Sequence, residues 1–154
     1  MRTFLGILAL IASVVISYLW SKKYTERKKF FGELKSFNES VKKEVIFSRT
    51  TLLELIKKLD GETRFSRYIG AAMTNTKDAE TCLTDINPAE KQFLADYIRG
   101  IGGGDAETQK KYLEVAEKDI EKFYSAASED EKKYRPLCIK LGFLFGLIML
   151  IILL

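Results

Sequence analysis

The residues of this chain that could do chemistry are few, and each has a plainer structural use. Gly102-Gly103-Gly104-Asp105 stands before a helical pattern, as a phosphate-cradling loop would. It lacks the Lys-Ser/Thr of a nucleotide-binding loop, no strand precedes it, and Asp105 at a helix start would repel phosphate. The same residues read as the end of one helix and the cap of the next. Glu114, Glu117, Asp119 and Glu121 crowd together as metal ligands do, but they alternate with Lys110, Lys111, Lys118 and Lys122. That is the pattern of a solvated, salt-bridged helix face. The 154 residues include no histidine, so the commonest metal ligand and the commonest general base at neutral pH are missing. Cys82 and Cys138 are far apart, and their spacing fits neither a zinc site nor a disulfide framework. They read as two buried or interfacial thiols in a reducing compartment. Serine, threonine and tyrosine hydroxyls have no base placed beside them. The expectation is a protein that binds rather than catalyses, with no metal and no cofactor.

The elements that hold these residues begin and end in apolar runs. Thr3 to Trp20 is apolar or weakly polar throughout, and Leu141 to Leu154 contains no charge. At about 1.5 Å per residue the first run just reaches a hydrocarbon core of about 30 Å. Tyr18 and Trp20 stand where an interfacial aromatic belt belongs. A cleaved secretory signal is the rival reading. Against it stand a single basic residue at the start, the lack of a small-x-small site before the aromatic residues, and the basic cluster that follows at once. The second run is short alone and spans only if Leu137 to Ile139 enter the interface and Lys140 snorkels. Gly142 and Gly146 form a Gly-x-x-x-Gly pair, a candidate surface for membrane-helix packing. It could serve self-association, as in a toxin-like protein that oligomerises through its tail, or packing on the first membrane helix.

Charge sets the expected topology. Lys22, Lys23, Arg27, Lys28 and Lys29 follow the first run, and Lys132, Lys133, Arg135 and Lys140 precede the second. Both flanks put the intervening domain in the cytosol by the positive-inside rule. Between Phe30 and Glu131 there are 15 Lys+Arg and 20 Asp+Glu, a balance of −5, so the overall +4 belongs to the membrane junctions. A nucleic-acid binder would carry its basic footprint on the domain itself. The expected layout is a membrane helix over 1–21, a cytosolic domain over 22–136 and a second membrane helix over 137–154.

Within the domain the patterning is helical. Phe30, Phe31, Leu34, Phe37, Val41 and Val45 make one 3–4 spaced stripe over Tyr24 to Ser48, with nothing breaking the join to the membrane segment. Thr51 and Glu54 make a capping box for a short helix, Leu52 to Leu59. A third helix runs over about Thr63 to Thr74, with Phe65, Tyr68, Ile69, Ala72 and Met73 as its apolar side. One or two short turns are expected between Asn75 and Asp85. Asn87-Pro88-Ala89-Glu90 starts another helix, ended by Gly102 to Gly104. Asp105 then caps a long helix whose stripe is Tyr112, Leu113, Ala116, Ile120, Phe123 and Ala127. Pro136 is expected to break or kink the path from that helix into the membrane. The fold class is all-α: a bundle of about five or six helices with two long antiparallel ones, flanked by the two membrane helices. The Ser48–Thr51 and Gly102–Asp105 turns then share the end far from the membrane, and Arg49, Thr51, Gly102, Gly104, Asp105 and Gln109 are the candidate partner-binding residues.

These residues resemble the stage III sporulation protein AB family of endospore-forming bacteria. Glu44-Val45-Ile46-Phe47-Ser48-Arg49-Thr50-Thr51-Leu52 is similar to the junction of the family's first two helices. Leu94 to Leu154 keeps the family's order: short helix, glycines, Asp105 with Gln109 four residues on, Lys111-Tyr112, a long helix, and an apolar end entered through Lys140-Leu141-Gly142. Thr63 to Asn87 is weakly patterned by comparison, and Arg49-Thr50-Thr51 stands where small residues or proline are expected. That family is similar to the cytosolic domains of the inner-membrane platform proteins of type II secretion and type IV pilus machines. The resemblance implies a platform component in the mother-cell membrane around the forespore. It implies a secretion-type ATPase and other membrane proteins as partners, a possible homo-oligomer, and no catalytic residues. The alternative is an extracytoplasmic binding module or enzyme with a cleaved signal and a C-terminal anchor.

Overall fold

The computed structural model describes residues 2–47, 56, 63–74, 78–101 and 103–153. Five helices account for nearly all of them: α1 (Arg2–Phe47), α2 (Arg64–Met73), α3 (Asp78–Thr81), α4 (Pro88–Gly100) and α5 (Ala106–Leu153). No strand occurs among the described residues. The all-α class stands. The Thr51–Glu54 capping box and the helix expected over Leu52 to Leu59 lie outside the described residues.

The chain divides into two compact units. One joins residues 1–28 to 126–154; the other is residues 29–125. Helices α1 and α5 contribute to both.

In the unit of residues 29–125, α1 and α5 pair antiparallel through the stripes that the sequence displays. Phe30, Phe31, Leu34, Phe37 and Val41 are buried from α1, and Leu113, Ala116 and Ile120 from α5. Phe30 lies edge-on to Phe65 at 5.4 Å between ring centroids, and Phe31 meets Phe123 at 5.7 Å. Such offset aromatic pairs contribute about 0.5–1.5 kcal/mol beyond the area they bury. Across the same seam Lys35 pairs with Glu121 at 2.5 Å and Lys42 with Glu117 at 2.8 Å. These exposed pairs set register more than stability. Each lysine is held above its ordinary pKa, first by the hydrogen bond to its glutamate.

The shorter helices start where side-chain caps allow it. Thr63 accepts from the Ser66 amide and opens α2. Asn87, Pro88 and Glu90 form the capping box of α4, with the Glu90 carboxylate accepting from the Asn87 amide at 3.1 Å. Helix α2 buries Phe65, Tyr68 and Ile69, whereas Met73 is exposed because it falls in the last turn, past the contact with the core. Between α2 and α4 the one-turn α3 brings in Leu83 and Ile86, both buried. Gly70 sits inside α2, and a β-carbon there would meet nothing within 4 Å. Gly70→Ala is therefore expected to stabilise this unit by about 0.5–1 kcal/mol in a denaturant titration, because glycine loses most backbone freedom on entering a helix.

Pro136 does not end the last helix, contrary to expectation: α5 runs through it unbroken. Proline removes one amide, and the carbonyl it deserts belongs to Lys132. Both Lys132 and Pro136 lie on the exposed face, where another donor can take that carbonyl.

In the unit of residues 1–28 and 126–154, α1 and α5 form an apolar hairpin. Leu10 faces Gly146, Ser13 and Ser17 face Gly142, and Gly6 faces Leu150. Towards the charged end Tyr24 stacks on Tyr134 at 5.4 Å, Arg27 pairs with Asp130 at 2.5 Å, and Lys28 pairs with Glu131 at 2.7 Å. The outward side chains are apolar and exposed, as at Trp20 (71%) and Ile152 (73%). Both helices are long and apolar enough to cross a membrane. Such a surface associates with a bilayer, which removes it from water.

Candidate functional site

Helix α4 ends at Gly100, with Ile101 as an extended C-cap, and Gly102, next in the chain, lies outside the described residues. Gly100 makes room for the Tyr112 ring, because a β-carbon there would collide with that side chain. Tyr112 stacks on Tyr97 at 6.4 Å and donates its hydroxyl to the carbonyls of Asp96 (3.1 Å) and Tyr97 (3.3 Å). A residue of α5 thus adds a second donor to carbonyls in the last turns of α4, the Tyr97 carbonyl already accepting from the Ile101 amide at 3.1 Å. Sequence reading assigned Tyr112 to the apolar stripe and missed this use of its hydroxyl. The one available signal was a tyrosine, rather than phenylalanine, one turn into the helix after the glycines.

Gly104 has φ +88°, the left-handed region in which a β-carbon is strained. The next residue, Asp105, caps α5: its carboxylate accepts from the Thr108 hydroxyl and its carbonyl from the Gln109 amide at 2.9 Å. The Thr108 hydroxyl, then the nearby backbone amides, hold the Asp105 carboxyl below its ordinary pKa. Its negative charge also suits the positive end of the α5 dipole. Asp105→Ala should therefore fray the first turn of α5, seen as faster amide exchange at Glu107 to Gln109 with the rest of the helix protected.

The candidate residues occupy different environments. Gly103, Gly104 and Asp105 are exposed, but Gln109 is 5% exposed and faces into the fold. Arg49, Thr51 and Gly102 lie outside the described residues. Gly142 and Gly146 face α1: a β-carbon added at Gly146 would lie 3.1 Å from the Leu10 Cα, and the Gly142 carbonyl accepts from Ser13 Oγ at 2.7 Å.

Three of the four carboxylates that looked like metal ligands pair with lysines: Glu114 with Lys110, Glu117 with Lys42, Glu121 with Lys35. No cluster of three potential ligands occurs among the described residues. Two phenols are perturbed. Burial pushes Tyr68 up to about 12 and raises Tyr97 as well. Tyr97 donates to Asn38 Oδ1 at 2.9 Å, and Asn38 Nδ2 donates to the Leu113 carbonyl at 3.3 Å. That buried link joins α1, α4 and α5 behind the turn. A groove of about 760 Å³ between α2, α3 and α4 is lined by residues including Tyr68, Ala72, Leu83, Lys91 and Ile98. Among the described residues the turn and this groove form a surface with shape and charge.

The profile of stage III sporulation protein AB matches residues 62–154. The chain belongs to the stage III sporulation protein AB family. It is a sporulation protein associated with membrane, in a family that is not as such one of enzymes. The matched stretch takes in the glycine-aspartate turn, Tyr112 and the whole of α5. It also includes Thr63 to Asn87, which looks weakly patterned. It leaves out the first membrane segment and the Glu44–Leu52 stretch, so it covers less of the chain than the resemblance did. No curated protein and no solved structure matches the chain.

Proposed function

We propose that this protein is a membrane-anchored platform component of the sporulation-specific secretion or channel complex between mother cell and forespore. Its helical unit would dock a cytosolic secretion-type ATPase, and its hairpin would meet the complex's other membrane proteins. The observation that carries this reading is family membership together with an apolar two-helix hairpin whose charged end is basic on both strands. By the positive-inside rule such a hairpin has both termini outside and the residues between its helices in the mother-cell cytosol, in the membrane that surrounds the forespore. Gly103, Gly104 and Asp105 are the exposed candidates for the ATPase contact, and Arg49, Thr51 and Gly102, outside the described residues, are the others.

The test is co-purification of the ATPase from sporulating cells. An Arg49→Glu/Asp105→Arg double variant should stay folded and membrane-bound and lose the ATPase by about tenfold or more, as rim charge reversals suppress a partner. Full recruitment by that variant would sink the docking surface. Loss of residues 1–17 from the mature protein, read by N-terminal sequencing, would sink the cytosolic topology.

A further inference from the structure

The hairpin carries a groove that neither anchoring nor ATPase docking uses. It measures about 610 Å³ and is lined by Val14 of α1 and by Leu137, Ile139, Lys140, Leu141, Phe143 and Leu144 of α5. Lys140 is its only charged lining residue. The helix pairing shows how deep that lysine lies. Gly142 meets Ser13 and Ser17, and Tyr134 stacks on Tyr24, which puts Lys140 about level with Ser17. Ser17 is five residues before Lys22, so Lys140 sits about 7 Å deeper along the axis than the start of the basic collar. That collar consists of the exposed residues Lys22, Lys23, Lys132, Lys133 and Arg135. Among the described residues no carboxylate pairs with Lys140, whereas Arg27, Lys28 and Arg135 all have acidic partners.

A cation held inside the apolar zone needs an anion or must stretch to water. A second copy of the hairpin would bring another Lys140 and another basic collar, so its charge is wrong. A zwitterionic lipid would bring a phosphodiester to the ammonium but set its own cationic headgroup against the basic collar above. We infer that the groove binds one anionic phospholipid, with the phosphodiester on the Lys140 ammonium and an acyl chain running deeper along Leu141, Leu144 and Val14. The collar above would attract the headgroup less specifically. This inference rests on membrane insertion of the hairpin and not on the identity of any protein partner.

Trp20 is the chain's only tryptophan, is exposed, and lies three residues, or about 4.5 Å, above the level of Ser17. It does not line the groove, so the reporter is a Trp20→Phe/Phe143→Trp variant, whose one tryptophan stands in the groove lining. Full-length protein is reconstituted in phosphatidylcholine vesicles, and quenching by brominated phosphatidylglycerol is compared with quenching by brominated phosphatidylcholine. The expected relative association constant favours phosphatidylglycerol about fivefold or more. Lys140→Met should bring it close to one, while Lys132→Met/Lys133→Met leaves it within about twofold. Soluble glycerophosphate at millimolar concentration should not compete. An unchanged preference in Lys140→Met overturns the site. So does an equal loss in both variants, which would make the attraction a diffuse property of the collar. Competition by glycerophosphate would also overturn it, by making the ligand a free phosphate. Flotation with neutral vesicles separates the two levels. Wild type and Lys140→Met should float alike, and a wild type that fails to float would overturn membrane insertion itself and the lipid site with it.

Discussion

Gly142→Ile is expected to open the apolar hairpin. A side chain at this position would run into Ser17, and the Ser13 carbonyl lies 3.2 Å from where its β-carbon would be. The glycine is there because two backbones come too close for anything larger. Separating the helices would also break the Ser13 Oγ bond to the Gly142 carbonyl. Overpacking of this kind typically costs about 1–3 kcal/mol, and an interhelical bond in a membrane adds about 0.6 kcal/mol. The expected loss is therefore about 2–4 kcal/mol in a detergent unfolding titration. A Tyr24→Cys/Tyr134→Cys pair in an otherwise cysteine-free chain offers a second readout that leaves both close-approach glycines in place. Gly142→Ile should slow its crosslinking in membranes, whereas a surface change such as Phe145→Leu should not. Unchanged crosslinking would mean that the glycines serve another surface, such as contact between copies. This is the choice left open by the Gly-x-x-x-Gly spacing, and it needs a partner face to resolve it.

The second large effect is expected at Asn38. It is 1% exposed within an apolar core, where its amide links the Tyr97 hydroxyl to the Leu113 carbonyl. Asn38→Ala removes both bonds, strands the buried Tyr97 hydroxyl and leaves a small cavity. An unsatisfied buried polar group costs about 1–3 kcal/mol, so a total of about 2–4 kcal/mol is expected from denaturant unfolding. Tyr97→Phe deletes the stranded group, so the double variant should recover about 1 kcal/mol relative to additive losses. Strict additivity would show that the hydroxyl and the amide do not interact, and the buried link would lose its standing. Tyr112 and the glycine turn are the nearest elements to sense such a change, because Tyr112 stacks directly on Tyr97.

A smaller effect concerns pH. The Glu131 carboxyl is held below its ordinary pKa, first by the hydrogen bond from Lys28. A carboxylate with a depressed folded-state pKa contributes stability above its unfolded pKa of about 4.3, and the contribution is lost as pH falls through the folded value. Hairpin stability should therefore fall in acid, and Glu131→Gln should flatten that part of the profile. Solvent screening keeps the expected size below about 1 kcal/mol.

Much of this protein can be read from spacing alone. The stripe from Phe30 to Val41 marks a buried helix face because a helix repeats every 3.6 residues, and it is buried as expected. Asn87, Pro88 and Glu90 mark a helix start because capping is local chemistry, settled within four residues. Uncharged runs of this length at both ends announce a membrane because hydrophobicity sums along the chain. Asn38, Gly100 and Tyr112 were not legible in this way. Asparagine in an apolar stripe reads as an exposed interruption unless Tyr97 and the Leu113 carbonyl are seen beside it, 59 and 75 residues away. Pro136 misled for a related reason: the penalty for proline depends on whether the deserted carbonyl finds another donor, and only the orientation of α5 settles that.

The glycine-aspartate turn shows the same division. The sequence by itself determined that a helix begins at Asp105, because the aspartate and Thr108 carry their own capping bonds. Only the tertiary structure decided why Gly100 precedes it, since the Tyr112 ring from another helix occupies the space a β-carbon there would fill. The sequence determined two apolar segments and their basic flanks. Their register was decided by close approach at Gly142 and Gly146, which sets Lys140 level with Ser17. Hydrophobicity and capping act along the chain and survive in a one-dimensional reading. Register and depth come from contacts between residues more than 100 positions apart, which exist only once the helices have paired.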